Sequence, residues 1–232
     1  LSLHDALPIF GFTYEIVDLC KRYCGAVAIS WYRQKHTYRA IQMLLDAGVK
    51  TNIHYVLGNN SIEEAIMRLK NNGFPAGINA VIFLLHKPVG LGSEENVLQM
   101  DNPLVRQFFE IVDMQKFNFK IGFDSCSIPA VLNLTHNIDH DSIDTCEGGR
   151  WSMYITSDMK ALPCSFDNQE LRWAFDISNS SIEEAWNSPQ FERFRSHFRN
   201  SCPNCQCQHA CMGGCPIRPQ VVLCDRAEKE LY

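Results

Sequence analysis

Eleven of the 232 residues are cysteine, and seven of them lie between Cys164 and Cys224. The densest stretch reads Cys202-x2-Cys205-x5-Cys211-x3-Cys215, then a gap of eight residues and Cys224. Thiolates at such spacing hold either an iron–sulfur cluster or zinc, and ligand type alone does not choose between them. Four sulfurs converge only from a tightly turning backbone, which Pro203, Gly213, Gly214 and Pro216 provide. A disulfide framework fits poorly, because eleven is odd and no secretory leader is recognisable. Cys207 and His209 stand inside the run as bystanders, or as substitutes if the ligand register is shifted by one.

Such ligands need a folded frame, and a chain 46% hydrophobic and 20% charged has a globular balance. A net charge of −5, with lysines and arginines scattered, gives no footprint for nucleic acid or an anionic membrane. The apolar run Ala80 to Leu85 is too short to span a bilayer. Neither nucleic acid nor a membrane is therefore expected as a partner.

From Phe10 to about Ser127 helical and strand-like segments alternate. Tyr14 to Tyr23 reads as a helix, Ala26 to Ser30 as a strand, and Arg33 to Ala47 as a helix stopped by Gly48. Lys50 to Leu57 is a strand, and Ser61 with Glu64 predicts a capping box for the next helix, which ends at Gly73. Asn79 to Leu85 is a strand covered on both faces, Asn102-Pro103 opens a helix carrying Leu104, Phe108 and Ile111, and Phe119 to Phe123 is a fourth strand. Repeated β-α units predict an α/β fold with parallel strands, either half a barrel or half an open sheet. Ligands gather at the C-terminal strand ends, here Ser30-Trp31, Leu57-Gly58, His86 to Gly90 and Asp124-Ser125-Cys126.

The character changes between about residues 128 and 145, where Asp139, Asp141 and Asp144 mark a polar stretch. Cys146-Glu147-Gly148-Gly149 follows, then a hairpin of Ser152 to Thr156 and Ala161 to Cys164 turning at Ser157-Asp158. Ser181 and Glu184 cap one short helix, and Ser188-Pro189 open another with Phe191, Phe194 and Phe198 inward.

Cys146, Cys164, the central run and Cys224 resemble the seven-cysteine signature of the SPASM domain, found at the C-terminus of radical S-adenosylmethionine enzymes that modify peptides and proteins. The glycine expected five residues before Cys164 is Met159, read as a small change in turn type. The resemblance implies a partial TIM-like barrel, of which residues 10–133 hold the later β/α units, followed by an auxiliary iron–sulfur domain over 134–232. It also implies two auxiliary [4Fe–4S] clusters with interleaved ligands. Cys202, Cys205, Cys211 and Cys224 hold one; Cys146, Cys164 and Cys215 hold the other. Cys126 is the candidate for the open fourth position, the alternative being a buried apolar cysteine.

The family's N-terminal Cys-x3-Cys-x2-Cys motif, which binds the S-adenosylmethionine-cleaving cluster, is not matched. Cys20-x3-Cys24 begins it, but Val27 stands at the third position, and the pair reads better as one face of a helix. Leu1 to Ile9 resembles the translation of a sequencing-adapter oligonucleotide and is set apart as an artefact; on that reading the N-terminal portion is lost and this chain alone is inactive. By resemblance Ser30 contacts the ribose of S-adenosylmethionine, with a helix cap as the alternative. Leu57-Gly58 and Pro88-Val89-Gly90 border the adenine, and Asp124 is either an acid/base or a support for the Cys126 loop. Sulfatase-maturing relatives carry Asp directly after the second hairpin cysteine; Ser165 stands here, with Asp167 two further on, which lowers the sulfatase-maturing reading without excluding it and leaves peptide-crosslinking or epimerising relatives open. The expected partners are a peptide or protein substrate and a reducing protein such as flavodoxin or ferredoxin, in the cytoplasm, where thiols stay reduced. The rival expectation is a zinc-stapled α/β binding protein without catalysis.

Overall fold

The computed structural model describes residues 12–139, 143–200, 202 and 204–225. Leu1 to Ile9, Asp141 and Pro203 lie outside the described residues.

The first half follows a β/α repeat: α1 (Tyr14–Tyr23), β1 (Val27–Ser30), α2 (Lys35–Asp46), β2 (Thr51–Leu57), α3 (Ile62–Lys70), β3 (Ala80–Leu85), α4 (Pro103–Met114), β4 (Lys120–Phe123) and α5 (Ile128–Leu134). The four strands form one parallel sheet in the order β1-β2-β3-β4. The sheet is open, with β1 and β4 at its edges, so the fold is α/β with a parallel sheet and the expected barrel is met only to that extent.

Period-two alternation divides the strands between two faces. Ile53, Tyr55 and Leu57 of β2 and Val81, Phe83 and Leu85 of β3 are buried in the core with α2, α3 and α4. Phe83 meets Phe108 edge-on with ring centroids 4.9 Å apart, and Phe109 stacks on Phe123 at 5.6 Å. Each such side chain contributes about 1.5–3 kcal/mol by leaving water, so this aromatic layer holds the helices to the sheet. The opposite face carries a register-aligned row, Ser30, His54, Ile82 and Gly122, one residue from each strand.

Asn102 caps α4 by accepting from Leu104 N–H at 3.0 Å. The capping box expected at Ser61 does not form. The Ser61 hydroxyl donates to Val56 carbonyl at 2.8 Å and accepts from Gly58 N–H at 2.9 Å, tying the β2–α3 turn. Glu64 instead meets Arg33 and Arg68, two cations that offer its carboxylate more than the cap amide would.

The second half holds a three-stranded antiparallel sheet: β5 (Tyr154–Ile155), β6 (Lys160–Leu162) and β7 (Phe175–Asp176), in that order. β7 was not legible in the sequence, because two residues show no alternation. Three helices follow: α6 (Ile182–Trp186), α7 (Pro189–Asn200) and α8 (Gln208–Cys211). The capping box on α6 forms as expected, Ser181 Oγ accepting from Glu184 N–H at 3.1 Å and Glu184 accepting from Ser181 N–H at 2.6 Å. Phe191, Phe194 and Phe198 of α7 are all buried.

The chain then returns to the first half. Val221 and Leu223 are buried in the main core, and Asp225 accepts from Arg106 of α4 and Asn133 of α5. No helix among the described residues is long and apolar enough to cross a membrane.

Candidate metal centres

The structure places the expected ligands in two neighbourhoods. In the first, Cys126 stands in the turn after β4, Cys146 before the Gly148-Gly149 turn, Cys164 just past β6, and Cys215 beyond α8. Cys126 feels the charges of Cys146 and Cys215, Cys146 those of Cys164 and Cys215, and Cys164 that of Cys215. In the second, Cys211 feels Cys224, Cys202 and Cys205. Sequence neighbours are thus separated: Cys215 leaves Cys211 and joins residues more than fifty positions earlier. None of the eleven cysteines is in a disulfide.

Backbone shape produces this parting. Met212, Gly213 and Gly214 all have positive φ, a left-handed run that turns Cys211 and Cys215 away from each other. A Cβ on Gly214 would stand 2.7 Å from Val222, so glycine lets the strap carrying Cys224 lie close. At the other centre, Gly149 has φ +62° and a Cβ there would meet the Phe194 ring at 2.9 Å. Cys146, Cys164 and Cys215 pack on the apolar cluster of Trp173, Phe194, Phe198 and Ile217, while Cys126 packs on the main core.

Three sulfurs of the first group have a backbone donor. Gly148 N–H donates to Cys146, Phe166 N–H to Cys164, and Arg218 N–H to Cys215 at 3.3 Å. Cys126 instead feels the charge of the Lys87 ammonium. In the second group Gly213 N–H donates to Cys211. Burial raises the thiol pKa of Cys126 and Cys164, and pushes Cys146 and Cys211 up to about 11. Among the described residues, no group of three or more His, Cys, Asp or Glu is arranged to hold a metal ion. The donor set is nevertheless chemically suited to clusters: four part-buried thiols in each group, with backbone N–H groups at Cys146, Cys164, Cys215 and Cys211.

Two cations flank the first group: Lys87, within the strand end His86 to Gly90 expected to gather ligands, and Arg218, which the sequence did not single out. Lys87, at the end of β3, pairs with Asp124, and its ammonium lies 5.0 Å from the Phe166 ring centroid. Burial opposes its charge, but Asp124 and then Cys126 outweigh it, and its pKa is raised. Arg218, 7% exposed, donates to Glu170 at 2.6 Å and to Phe166 carbonyl at 3.4 Å.

Asp124 also accepts from Ser127 Oγ at 2.7 Å and Leu85 N–H at 3.2 Å, so it supports the Cys126 loop and has little freedom for acid/base work. Asp167 is buried and accepts from the N–H groups of Trp173 at 2.8 Å and Arg172 at 3.2 Å, a structural use. Ser30 ends β1 beside His54, and α2 is capped at Gln34, which removes the cap alternative for Ser30. Next to Leu57-Gly58, Asn59 Nδ2 donates to the carbonyls of Glu95 and Val97 at 2.9 and 2.8 Å, an asparagine clasp the sequence did not reveal. Cys20 is buried in the core on α1, with Cys24 as that helix's C-cap, in keeping with a helical face. Met159 has φ +61°, so it keeps the left-handed turn that a glycine would supply; the turn type is not changed.

Comparison with known proteins reaches the same region. Residues 146–211 match the SPASM family, described as an iron–sulfur cluster-binding domain; the match includes Cys146, Cys164, Cys202, Cys205 and Cys211 and stops short of Cys215 and Cys224. No curated protein matches the sequence. The fold is similar to that of Streptococcus suis SuiB, solved bound to S-adenosylmethionine, with a TM-score of 0.53 and 14% identity. That similarity covers 92% of this chain but 62% of SuiB, so the chain spans about three-fifths of that protein's length. This chain therefore joins a parallel α/β half to a region, residues 146–211, similar to the SPASM iron–sulfur cluster-binding domain.

Proposed function

We propose that the chain is part of a radical S-adenosylmethionine enzyme that modifies a peptide or protein, and that it holds two auxiliary [4Fe–4S] clusters. The observation that carries this is the parting of eight thiols into two groups of four, with backbone N–H groups on the sulfurs of Cys146, Cys164, Cys211 and Cys215. Cys126, Cys146, Cys164 and Cys215 would hold the first cluster, and Cys202, Cys205, Cys211 and Cys224 the second. When bound, such clusters supply one-electron transfer to or from a substrate, or a site that anchors it. The chain's own residues part-bury the sulfurs, and the N–H groups of Gly148, Phe166 and Gly213 oppose the cost that burial puts on the thiolates of Cys146, Cys164 and Cys211. Ser30, on the sheet face away from the helices, is assigned to the ribose of S-adenosylmethionine, and a flavodoxin- or ferredoxin-type protein in the cytoplasm to the supply of electrons.

A single tetrahedral ion with metal–sulfur bonds of about 2.3 Å needs its sulfurs drawn within about 3.8 Å of one another. A four-iron cluster gives each thiolate its own iron and accepts a wider spacing. Anaerobic reconstitution with iron and sulfide tests the reading. The expected result is a brown protein with about eight iron atoms per chain, from two four-iron clusters. A colourless protein that binds about two zinc ions, or fewer than about two irons, would establish the zinc-stapled alternative instead.

A further inference from the structure

Cys164 and Cys215 stand on separate turns, and one side chain bridges the two. Arg218, 7% exposed, closes the turn that begins at Cys215, its backbone N–H meeting Cys215 Sγ at 3.3 Å. Its guanidinium reaches the turn that follows Cys164. Nη1 donates to Glu170 Oε1 at 2.6 Å, and Nη2 lies 3.4 Å from both Phe166 carbonyl and Gln169 Oε1. Three acceptors from one turn thus meet a planar fork, which fixes distance and orientation together.

The receiving turn is stiff in its own right. Asp167 N–H donates to Cys164 carbonyl at 3.1 Å and Leu171 N–H to Asp167 carbonyl at 2.8 Å. The Asp167 carboxylate holds the N–H groups of Arg172 and Trp173. Cys164 therefore moves with Phe166, Gln169 and Glu170 as one unit, and the docking of Arg218 on that unit sets where Cys164 lies against Cys215. An apolar contact joins the same segments, since Trp173 and Ile217 share a buried cluster. Apolar contact is non-directional and holds the segments together without fixing their register. Arg218 Nε is buried and has no acceptor among the described residues. Burying a donor unpaired is costly, so this nitrogen marks the join between the two turns as a place for an acceptor from outside the chain.

We infer that Arg218 is a positioning residue of the first centre: its side chain sets Cys164 against Cys215 so that one cluster takes both sulfurs. This rests on the cluster assignment proposed above.

The test is anaerobic reconstitution with iron and sulfide, read by iron content and electron paramagnetic resonance. Cys205→Ser, which leaves the first cluster alone, assigns the two signals. Variants at position 218 keep the backbone N–H on Cys215, so they question the side chain only. Arg218→Met is expected to lower the iron from about eight to about four atoms per chain, with the second cluster's signal retained. Arg218→Lys brings an ammonium to one acceptor where the guanidinium spans three. It is expected to hold more of the first cluster than Arg218→Met and less than wild type. Ile217→Ala removes the apolar contact between the same segments, and is expected to lower the melting temperature while keeping about eight irons. Full iron content in Arg218→Met, equal loss of both clusters, or the same loss of the first cluster in Ile217→Ala overturns the assignment. If Arg218→Met does not fold, Arg218→Lys decides, since the first cluster must then be the less occupied of the two. A wild-type chain that takes up no iron overturns the cluster reading as well, so wild-type iron content tells the two failures apart.

Discussion

Met159 holds φ at +61° with its side chain 47% exposed, so it bears the strain of a left-handed residue and gains little packing in return. Its N–H bonds Thr156 carbonyl at 3.1 Å and its carbonyl accepts from Ile177 N–H at 2.9 Å, so the turn that precedes Cys164 depends on this conformation. Met159→Gly is expected to stabilise the chain by about 0.5–1 kcal/mol, the relief of strain exceeding glycine's extra freedom in the unfolded state. Urea unfolding at unchanged m-value reads this directly, and a lowered midpoint would show that the methionine packs in a way its exposure denies. Sequence reasoning marked this position by its departure from a glycine but expected a new turn. The error lay in taking the residue type to dictate φ, when the hairpin register on either side of the turn dictates it.

At the scale of elements, α7 is the support of the first centre. Its inner face carries Phe191, Phe194 and Phe198, legible from their spacing. Its other contribution was not legible: Arg195 Nε donates to Gly149 carbonyl at 2.6 Å and Nη2 to Trp186 carbonyl at 2.7 Å, with the guanidinium 4.8 Å from the Trp186 ring centroid. An arginine on a helix reads as a solvated charge until the turn it clamps is known, because its partners are backbone carbonyls with no sequence signature. The Ser61 capping box failed for the related reason that local spacing cannot report the distant cations competing for Glu64. Where the partners are local, as at Asn102 or at Ser181 with Glu184, the same reasoning placed the helix start correctly. Arg195→Ala removes two charge-assisted hydrogen bonds and the ring contact, and is expected to cost about 3 kcal/mol. Arg195→Lys should recover less than half, since a single ammonium cannot span both carbonyls. Thermal and urea unfolding of the two variants checks this, and near-wild-type stability of Arg195→Ala would remove α7's clamp from the account.

At the scale of the molecule, the two thiol groups differ in what they join. Cys202, Cys205, Cys211 and Cys224 all come from the C-terminal segment, whereas the first group takes Cys126 from the sheet half and three cysteines from the second half. The protein already ties these halves through Val221, Leu223 and Asp225, which join the main core, α4 and α5. A cluster in the first group would add a tie of covalent strength across the same boundary, and metal binding to the folded state alone is folding free energy. Cys126→Ser and Cys205→Ser should each lower the iron content of the reconstituted chain from about eight to about four atoms. Their thermal unfolding should nonetheless differ. With the first cluster intact, Cys205→Ser is expected to unfold in one cooperative transition. Without it, Cys126→Ser leaves the halves joined by the apolar strap, the exposed Arg106–Asp225 pair and the Lys87–Phe166 contact, and two resolved transitions are expected. The contrast depends on Cys126 being a ligand, which neither its position after β4 nor its burial decides, because an inert apolar cysteine would share both. Full iron content in Cys126→Ser would place the fourth ligand elsewhere and reduce Cys126 to a packing residue of the sheet half.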